Sequence, residues 1–388
     1  MRDSTTPAVK VHLVDISLFY PARTGGVRTY LRAKSCWLRQ KSTIRHTIIA
    51  PVRRDDDDPD LIAIPSFPIP FGQGFRWPLS AALATRRLIS LQPQLIEAGD
   101  PYQFAWSAIQ ARDKLNIAAL AFYHSDLPQL ASRRMGALGQ LAAENYLRKL
   151  YAHFDLVLAP SRASLHKLQA IGIRQARHQP LGVDTEIFAP GRRDPWLKRR
   201  LGLPADCRLL VYAGRFSREK NLAALIAAVE HLGHPYHLLL IGGGSRISAS
   251  GRVSCLPYQQ DASALASLIG GADAFVHPGQ HETFGLVVLE AMACSLPVLG
   301  VEGGGVAELV DADTGLLAES GSSASLAEGI SSLFSADLPA MGRRARQKAV
   351  VRYGWDCIMP QLMRHYETLL GSGQVRLAEL ASLRTETR

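Results

Sequence analysis

The sequence predicts an α/β protein built from two tandem Rossmann-like, doubly wound domains that face each other across a cleft. Three observations predict this fold. The chain has 388 residues, more than one hydrophobic core usually serves. Short apolar runs alternate with amphipathic stretches along the whole chain, which is typical of parallel sheets with helices on both faces. The apolar runs also fall into two sets of five, one in each half.

The predicted strands are short and apolar. In the first half they are VKVHLVDIS, HTIIAP, QLIEAG, IAALAFYHS and FDLVLAPS, and in the second half RLLVYAGRF, HLLLIGGGS, VSCLPY, DAFVHPG and LPVLGV. Between them, VRTYLRAKSCWLRQ, SLHKLQAIG, NLAALIAAVEHL and ASALASLIGG have the apolar spacing of amphipathic helices. Ligands of such domains bind beyond the carboxyl ends of the strands, so functional motifs are expected directly after strands.

Three segments interrupt this pattern. PLGVDTEIFAPGRRDPWLKRRLGLP is rich in Pro, Gly and charge, and predicts a seam between a domain over residues 1–184 and a second over residues 185–351. Residues 352–388 predict a closing helix and a polar tail, with a kink or break at Pro360. The proline-rich stretch IPSFPIPFGQGFRWP, residues 64–78, predicts a long irregular loop.

The composition excludes several classes of protein. It is 47% hydrophobic and 20% charged, as in soluble globular proteins, and no run of eighteen uncharged apolar residues predicts a transmembrane helix. The first ten residues lack the apolar core of a signal peptide. The five cysteines are scattered without a C-x-x-C pair, which argues against a disulfide framework and a zinc site. A cytoplasmic protein is expected.

The positive charge lies in one half of the chain. The formal net charge is +10, with 24 Lys and Arg against 13 Asp and Glu in residues 1–180, and 20 against 21 in residues 181–388. A basic half favours an anionic partner such as a lipid surface, a phosphorylated acceptor or a nucleic acid. The alternative is that the excess only aids solubility.

The first motif is VYAGRFSREKNLAALIAAV, a strand, a turn and a helix. Its turn carries Arg215 and Lys220, and Asn221 opens the helix. Two cations beside a helix N-terminus predict an anion site, because free N–H groups and the helix dipole add to their charge. The alternative is a pair of ordinary surface cations.

The second motif is HETFGLVVLEAMA, which predicts a helix that begins near Phe284 and Gly285. Glu282 then precedes the helix and Glu290 lies in its second turn, so both side chains can face one cleft. A carboxylate can accept hydrogen bonds from two neighbouring hydroxyls, so one acid would hold a ribose and the other a hexose. The alternative is an N-cap glutamate and a solvent-facing one, which leaves Glu290 within an apolar stripe unexplained.

These motifs resemble a known family. GRFSREKN, HPGQHETFGLVVLEAMACSLPV and EGGGVAEL are similar to the donor-site motifs of the retaining, group 1 (family 4) glycosyltransferases, which have the GT-B fold. TGGVRTYL, YHSDLP, FDLVLAPS and PLGVDTEIF extend the resemblance over about residues 10–365. LVDISLFY, PSFPIPFG, LIEAGDPYQFAW and FYHSDLP most resemble the branch of GDP-mannose-dependent α-mannosyltransferases and sulfoquinovosyl-diacylglycerol synthases.

The resemblance implies a donor site in the second domain. Arg215 and Lys220 match the cations that hold the donor diphosphate. Glu282 matches the acid at the hydroxyls of the transferred sugar, and Glu290 matches the acid at the nucleotide ribose. The backbone amides at phosphate and sugar correspond to Phe284, Gly285 and Leu286.

The resemblance also implies functional residues in the first, acceptor-binding domain, and a helix that packs on it. Gly25 and Gly26 match a turn that closes over the diphosphate. His124 matches a histidine beside the transferred sugar, with Asp126 assisting it. The closing helix matches a return crossover that packs on the first domain.

The function implied is retaining transfer of a hexose, mannose from GDP-mannose as first choice, to a lipid or glycan acceptor. Cations and helix N-termini would stabilise the leaving phosphate without a metal or cofactor. The Asp-x-Asp pairs in RRDDDDPD and at Asp311 and Asp313 are interpreted as solvated loops, and the histidines other than His124 as ordinary. Alternatives are a UDP-sugar-dependent glycolipid synthase, a nucleotide-sugar-binding protein without turnover, and a nicotinamide-dependent oxidoreductase. The last lacks the G-x-G-x-x-G spacing.

The basic first half also suggests where the protein acts. Arg76, Trp77, Phe71 and Phe75 in the proline-rich segment predict peripheral docking on the anionic inner face of a membrane, and no nucleic acid partner is expected. The alternative is that Trp77 and its neighbours pack the segment onto its own domain.

Overall fold

The computed structural model describes residues 11–20, 25–52, 58–69, 75–245, 247 and 250–371. Residue contacts divide these into two compact units. The first holds the described residues up to Ala159, Leu165–Gln179 and the described residues from Met359 onwards; the second holds Pro160–Ser164 and Pro180–Ile358. Each unit has its own parallel sheet and its own core, so the two-domain α/β prediction is confirmed.

The first unit is organised around a seven-stranded parallel sheet. The strands of this unit, in chain order, are β1 (His12–Ile16), β2 (Arg45–Ala50), β3 (Leu61–Ala63), β4 (Ser66–Pro68), β5 (Arg76–Pro78), β6 (Leu95–Ala98), β7 (Ala118–Phe122), β8 (Leu156–Ala159) and β9 (Ala176–His178). Their order in the sheet is β3-β2-β1-β6-β7-β8-β9. The helices between them are α1 (Gly26–Lys41), α2 (Ala81–Leu91), α3 (Gln103–Leu115), α4 (Leu127–Tyr151) and α5 (Arg162–Ala170).

The central strands form because most of their residues are apolar and can be buried on both faces of the sheet. Every residue of β1 is buried, as expected of a strand with helices above and below the sheet. All five strands predicted in this half are present. β3 and β9 were not predicted, since three residues are too few to show a periodic pattern.

The prediction that residues 64–78 are irregular is wrong for the six residues that form β4 and β5. Strands β4 and β5 pair as an antiparallel ribbon, with Phe67 opposite Trp77. Pro68 and Pro78 each end a strand of this two-stranded ribbon, where proline's missing N–H breaks no ladder. The residues that connect the two strands lie partly outside the described residues.

The second unit has a six-stranded parallel sheet in the order β12-β11-β10-β13-β14-β15. Its strands are β10 (Arg208–Phe216), β11 (Tyr236–Gly244), β12 (Val253–Pro257), β13 (Ala274–Val276), β14 (Val298–Val301) and β15 (Gly315–Ala318). The helices that follow α5 are α6 (Leu197–Arg200), α7 (Leu222–Leu232), α8 (Ala262–Gly270), α9 (Leu286–Ala293), α10 (Val306–Leu309), α11 (Ser323–Leu333), α12 (Leu338–Tyr353) and α13 (Trp355–Leu370). The five predicted strands are present, and the four-residue β15 was not predicted.

The closing helix differs from its prediction. The break lies at Gly354, between α12 and α13, and α13 runs through Pro360 without ending there. Proline removes one backbone hydrogen bond from a helix, which a packed helix can tolerate. Among the helices of the described ranges, none combines the length with the apolar composition that crossing a bilayer requires.

The sheet of the second unit brings its motifs together. β10, β13 and β14 are neighbours in the sheet and run parallel, so the loops that follow them lie at one edge. These loops carry RFSREKN, HPGQHETF and EGGG. In the first unit, the YHSDLP motif directly follows β7. The expectation that the motifs follow strands is therefore confirmed.

Glycine allows β10 and β11 to pair as far as this edge. Gly242 has φ of 155°, and a Cβ built on it would lie 1.8 Å from the carbonyl oxygen of Gly214. Its neighbour Gly243 is also in β11, but a Cβ there would meet nothing within 4 Å. Adjacent positions of one strand thus differ sharply in their tolerance of a side chain.

We expect Gly242→Ala to lower the free energy of unfolding by about 2–4 kcal/mol, because the methyl group collides with backbone that cannot move aside. Gly243→Ala is the matched control and should change it by less than about 0.5 kcal/mol. Urea denaturation of the two variants beside the parent measures both values. Equal stability of the two variants would contradict the close approach at Gly242.

Candidate functional site

Both predicted cations lie where β10 leads into α7. Arg215 is the next-to-last residue of β10 and is exposed. Lys220 ends a single 3-10 turn, Arg218–Lys220. Asn221 then begins α7 in the left-handed conformation, with φ of 56°, and its Nδ2 donates to the carbonyl oxygen of Gly321 at 2.6 Å. The amide of Asn221 therefore ties the start of α7 to the loop that precedes α11.

Lys220 and Glu282 come together although they are 62 positions apart. The ammonium of Lys220 donates a hydrogen bond to the carboxylate of Glu282. Nε2 of His277 lies 3.2 Å from the same carboxylate oxygen. Burial, and then the nearby Lys220 ammonium, lower the pKa of His277 to about 3. The imidazole is therefore neutral at physiological pH, and its Nε2–H donates to Glu282.

His277 was not recognised from the sequence, where it was interpreted as an ordinary histidine. Its side chain is buried and directly contacts a predicted site residue. The available signal was its position, because it immediately follows Val276, the last residue of β13. Residues at the carboxyl ends of parallel strands are candidates for the site whatever their spacing to other histidines.

The EGGG segment supports the Glu282 loop from behind. The N–H of Gly305 donates to the carbonyl oxygen of Glu282 at 2.8 Å. A Cβ on Gly304 would lie 2.8 Å from that oxygen, and a Cβ on Gly305 would lie 2.6 Å from Cα of Phe284. Gly304 also has φ of 62°, a conformation that favours glycine. These glycines are thus required for close backbone packing behind the loop.

The N-terminus of α9 lies within the same motif. Gly285 precedes the helix with φ of 104°, and Leu286 is its first residue. Phe284 is buried, which fixes the entry of the chain into the helix. The first N–H groups of a helix have no intrahelical acceptor and carry the positive end of the helix dipole. The helix therefore begins as the sequence predicted and offers N–H groups to an anion.

Glu290 occupies the second turn of α9, as predicted. Its side chain is half-buried, and burial raises the pKa of its carboxyl group to about 7. A carboxyl group with this pKa is only partly ionised at neutral pH. Folding therefore favours the protonated, uncharged form of Glu290.

The residues predicted in the first unit also lie at or just before the starts of helices. Gly25, with φ of 132°, precedes α1, and Gly26 is the first residue of that helix. His124 follows β7, and its ring stacks on Phe122 with 4.3 Å between ring centroids and 8° between ring planes. Burial, and then the Lys34 ammonium, lower the pKa of His124 to about 3. His124 is therefore neutral at physiological pH.

Asp126 has a structural role in the described residues. Its carboxylate accepts hydrogen bonds from the N–H of Gln129 at 3.1 Å and from the hydroxyl of Tyr123 at 3.0 Å. It also forms an ion pair with Lys167 at 2.7 Å. Asp126 thus caps the N-terminus of α4, and its contacts differ from the assistance to His124 that the resemblance implied.

The aspartate pairs show no sign of a metal centre where they are described. Asp311 accepts from Thr314 and pairs with Lys348 at 2.7 Å. Residues 53–57 of RRDDDDPD lie outside the described residues. Within the described ranges, no three His, Cys, Asp or Glu side chains are grouped so that they could hold a metal ion.

Comparison with known proteins identifies relatives that match most of the chain. The family model for glycosyl transferases group 1 matches residues 195–350, and the model for glycosyltransferase family 4 matches residues 24–187. A GDP-mannose-dependent alpha-mannosyltransferase from Mycolicibacterium smegmatis is 30% identical over 298 residues, 75% of this chain and 78% of the relative.

Two further proteins extend the comparison. A GDP-mannose-dependent alpha-(1-6)-phosphatidylinositol dimannoside mannosyltransferase from Mycobacterium tuberculosis is 28% identical and covers 80% of this chain and 84% of its own. The solved structure of sucrose-phosphate synthase from Thermosynechococcus elongatus has a TM-score of 0.74 and 24% identity, and covers 93% of this chain and 99% of its own. The last comparison shows the shared fold.

We expect Glu290→Gln to stabilise the ligand-free protein at pH 8 by about 1–2 kcal/mol. Burial raises the pKa of Glu290 in the folded state. Protonation of Glu290 therefore contributes fully to the free energy of unfolding below the ordinary pKa of 4.5, and this contribution is lost as pH rises through about 7. Glutamine cannot ionise, so the variant does not lose stability in this way. Chemical denaturation at pH 8 should separate the variant from the parent, and the difference should vanish near pH 4.5. A variant that is less stable at pH 8 would contradict the burial of this carboxyl group.

Proposed function

The chain belongs to the group 1, family 4 glycosyltransferases, and on this premise we propose that it transfers mannose from GDP-mannose to a lipid-linked or glycan acceptor, with retention of configuration and without a metal ion. The observation that supports the proposal is the meeting of three motifs at one edge of the second sheet. There Lys220 contacts Glu282 in the loop that leads into α9.

The charges in this unit suit a nucleoside diphosphate. Arg215, Lys220 and the N-terminal amides of α9 supply positive charge for the diphosphate. Glu282 and Glu290 are acceptors for pairs of sugar hydroxyls, and in our proposal Glu282 contacts the transferred sugar and Glu290 the ribose. His277 donates to Glu282, which orients that carboxylate toward one geometry.

The proposed chemistry follows from where charge develops. As the sugar leaves, the anomeric carbon becomes positive and the departing diphosphate becomes more negative. Fixed cations and helix N–H groups stabilise the diphosphate in the transition state. Retention is expected by front-face attack, in which the leaving phosphate accepts the proton of the acceptor hydroxyl. His124 would orient the transferred sugar or the acceptor, and Gly25 and Gly26 would close over the diphosphate.

The donor and acceptor are proposed from the relatives. Two mycobacterial relatives are named for GDP-mannose, and one of them for a phosphatidylinositol mannoside acceptor. These names support GDP-mannose as the donor and a lipid-linked glycan as the acceptor. A cytoplasmic protein on the anionic inner face of a membrane, without a nucleic acid partner, would meet both substrates.

A surface of the first unit supports this membrane proposal. Helix α4 bends at Gly136, where φ is 61° and ψ is −152°, and Gly139 packs so closely that a Cβ there would lie 2.8 Å from the carbonyl oxygen of Ala131. The bend is the α4 elbow, residues 130–141. Its large apolar side chains are exposed: Leu130 by 44%, Met135 by 64%, Leu138 by 81% and Leu141 by 55%. The exposed Arg133 and Arg134 lie among them.

The segment that the sequence proposed for docking is less suitable. The guanidinium of Arg76 donates to the hydroxyl and the carbonyl oxygen of Ser66, at 2.9 and 2.5 Å. Trp77 is 40% exposed, and Phe71 lies outside the described residues. We therefore propose the α4 elbow as the main contact with the anionic surface.

We expect GDP-mannose to raise the melting temperature more than UDP-glucose or ADP-glucose, because a ligand of the native state stabilises it.

Arg215→Ala should lower turnover on the order of 100-fold, because it removes a charge that stabilises the leaving diphosphate. Arg218→Ala, an exposed cation of the same turn, is the matched control and should keep full turnover. EDTA should leave the rate unchanged. Full activity of Arg215→Ala would remove the basis of the diphosphate assignment.

We expect the protein to sediment with phosphatidylcholine vesicles that contain phosphatidylglycerol, and less so at high salt. Arg133→Glu with Arg134→Glu should reduce partitioning at low salt at least about ten-fold, and Leu138→Ser with Leu141→Ser should reduce it at both salt levels. The double variant Arg343→Glu with Arg352→Glu, on exposed positions of α12, controls for net charge. Binding that is equal in all four proteins would exclude the α4 elbow as the docking surface.

A further inference from the structure

A lysine ammonium lies in the interior of the first unit. The side chain of Lys34 is 0% exposed, and its Nζ donates to Asp15 at 2.8 Å and to Glu97 at 2.9 Å. The hydroxyls of Tyr366 and Tyr30 accept from the same Nζ at 3.0 and 3.2 Å. These five residues form the Lys34 cluster. Each hydrogen-bonding position of the ammonium is therefore used, as a buried cation requires.

The two carboxyl groups of the cluster differ in ionisation near neutral pH. Burial alone would raise the pKa of Asp15, but Lys34 and His46 outweigh it and lower that pKa to about 2. Burial raises the pKa of Glu97 to about 7, although Lys34 opposes the rise. The cluster thus holds a positive Lys34, a negative Asp15 and a Glu97 that is only partly ionised. The ammonium retains an electrostatic effect on its neighbours.

Tyr30 connects this cluster to His124. The Nζ of Lys34 lies 4.7 Å from the centroid of the Tyr30 ring, and that ring lies 5.3 Å from the ring of His124, tilted by 54°. His124 also stacks on Phe122, and the Tyr30 and Phe122 rings meet edge to face at 5.2 Å. The three rings therefore all contact one another, and the Lys34 ammonium lies beside the Tyr30 ring of this group.

The groups around His124 come from several elements. β1 contributes Asp15, and the turn after β6 contributes Gly99, on which a Cβ would lie 3.7 Å from Cδ2 of His124. The next residue in that turn, Asp100, is buried and accepts from the N–H of Leu18 at 2.6 Å. The titratable and charged groups around this histidine are Asp15, Tyr30, Lys34, Glu97, Asp100, Asp126 and Tyr366. Lys34 is the cation among them that directly opposes a second positive charge.

We propose that Lys34 is a positioning residue for His124. The buried ammonium of Lys34, acting beside Tyr30, keeps the imidazole of His124 uncharged and stacked on Phe122. The inference rests on the proposed function, which places His124 beside the transferred sugar. A neutral imidazole can donate one hydrogen bond and accept another. An imidazolium there would repel the positive charge that develops at the anomeric carbon. Lys34 therefore contributes to the reaction through His124 without contacting the substrate.

The test is a titration of His124 in the full chain, labelled with ¹³C and ¹⁵N in histidine and followed by NMR. His124→Gln identifies the signals of His124 by their loss. In the parent, these signals should stay constant between pH 4.5 and 8, because the pKa of His124 is about 3. In Lys34→Met, the proton affinity of His124 should rise at least about ten-fold, so that its signals begin to move below about pH 5.

Matched variants separate this effect from general loss of structure. Lys34→Arg keeps the charge and should restore the behaviour of the parent. Lys348→Met removes a lysine ion pair from the second unit and should leave His124 unchanged. Where Lys34→Met does not fold, Lys34→Gln keeps an amide donor for the two carboxylates and takes its place.

Two results would overturn the inference. One is a parent in which His124 titrates with a pKa between 6 and 7. The other is a folded Lys34→Met or Lys34→Gln in which the titration matches the parent. The measurement needs no substrate, so a chain that fails to turn over sugar nucleotides but shows the expected titration would contradict the proposed function alone.

Discussion

The contact between the Lys220 ammonium and the Glu282 carboxylate depends on one constraint, that neighbouring parallel strands end at the same edge of a sheet. β10 and β13 are adjacent, so the loop with the cation and the loop with the acid meet without any further device. β14 brings a third loop beside them, and its glycines allow backbone to pack directly behind Glu282. Side chains at those positions would push the acid out of place. The geometry of the site is thus set by the sheet first and by the side chains second.

The carboxyl group of Glu290 is costly for the folded chain. Glu290 lies on a helix whose other residues are mostly buried, and burial raises its pKa to about 7. A hydrophobic residue there would pack against the same core without that cost. In the proposed function, hydroxyl donors of the ligand would bind this carboxyl group and offset that cost. This conflict between local burial and chemistry is the pattern expected at a functional site.

Much of the fold was predictable because it rests on local apolar patterns. α1 and α7 follow from apolar periodicity, ten of the strands follow from short apolar runs, and the start of α9 follows from Gly285. The missed strands β3, β9 and β15 have three or four residues and lie at the edges of the two sheets, where pairing with one neighbouring strand supplies their hydrogen bonds. The placement of Arg215, Lys220 and Glu282 at the ends of β10 and β13 was predictable, since each lies in a motif that follows an apolar run. His277 and Lys34 were not, because their roles depend on partners far away in sequence, which only the folded chain brings into contact.

The two units share one electrostatic arrangement, a lysine ammonium near a buried histidine. In the second unit the Lys220 ammonium lies near His277, and in the first the Lys34 ammonium lies near His124; each histidine is buried and neutral for the same two reasons. In both cases a lysine also binds a carboxylate, so the cation is fixed in place. A cation is favourable beside a leaving diphosphate and unfavourable beside a sugar that gains positive charge. In the proposed function, neutral imidazoles at both positions add no positive charge near the transferred sugar, and each can donate one hydrogen bond and accept another. A protonated histidine at either position would lose its acceptor and add a cation near that sugar.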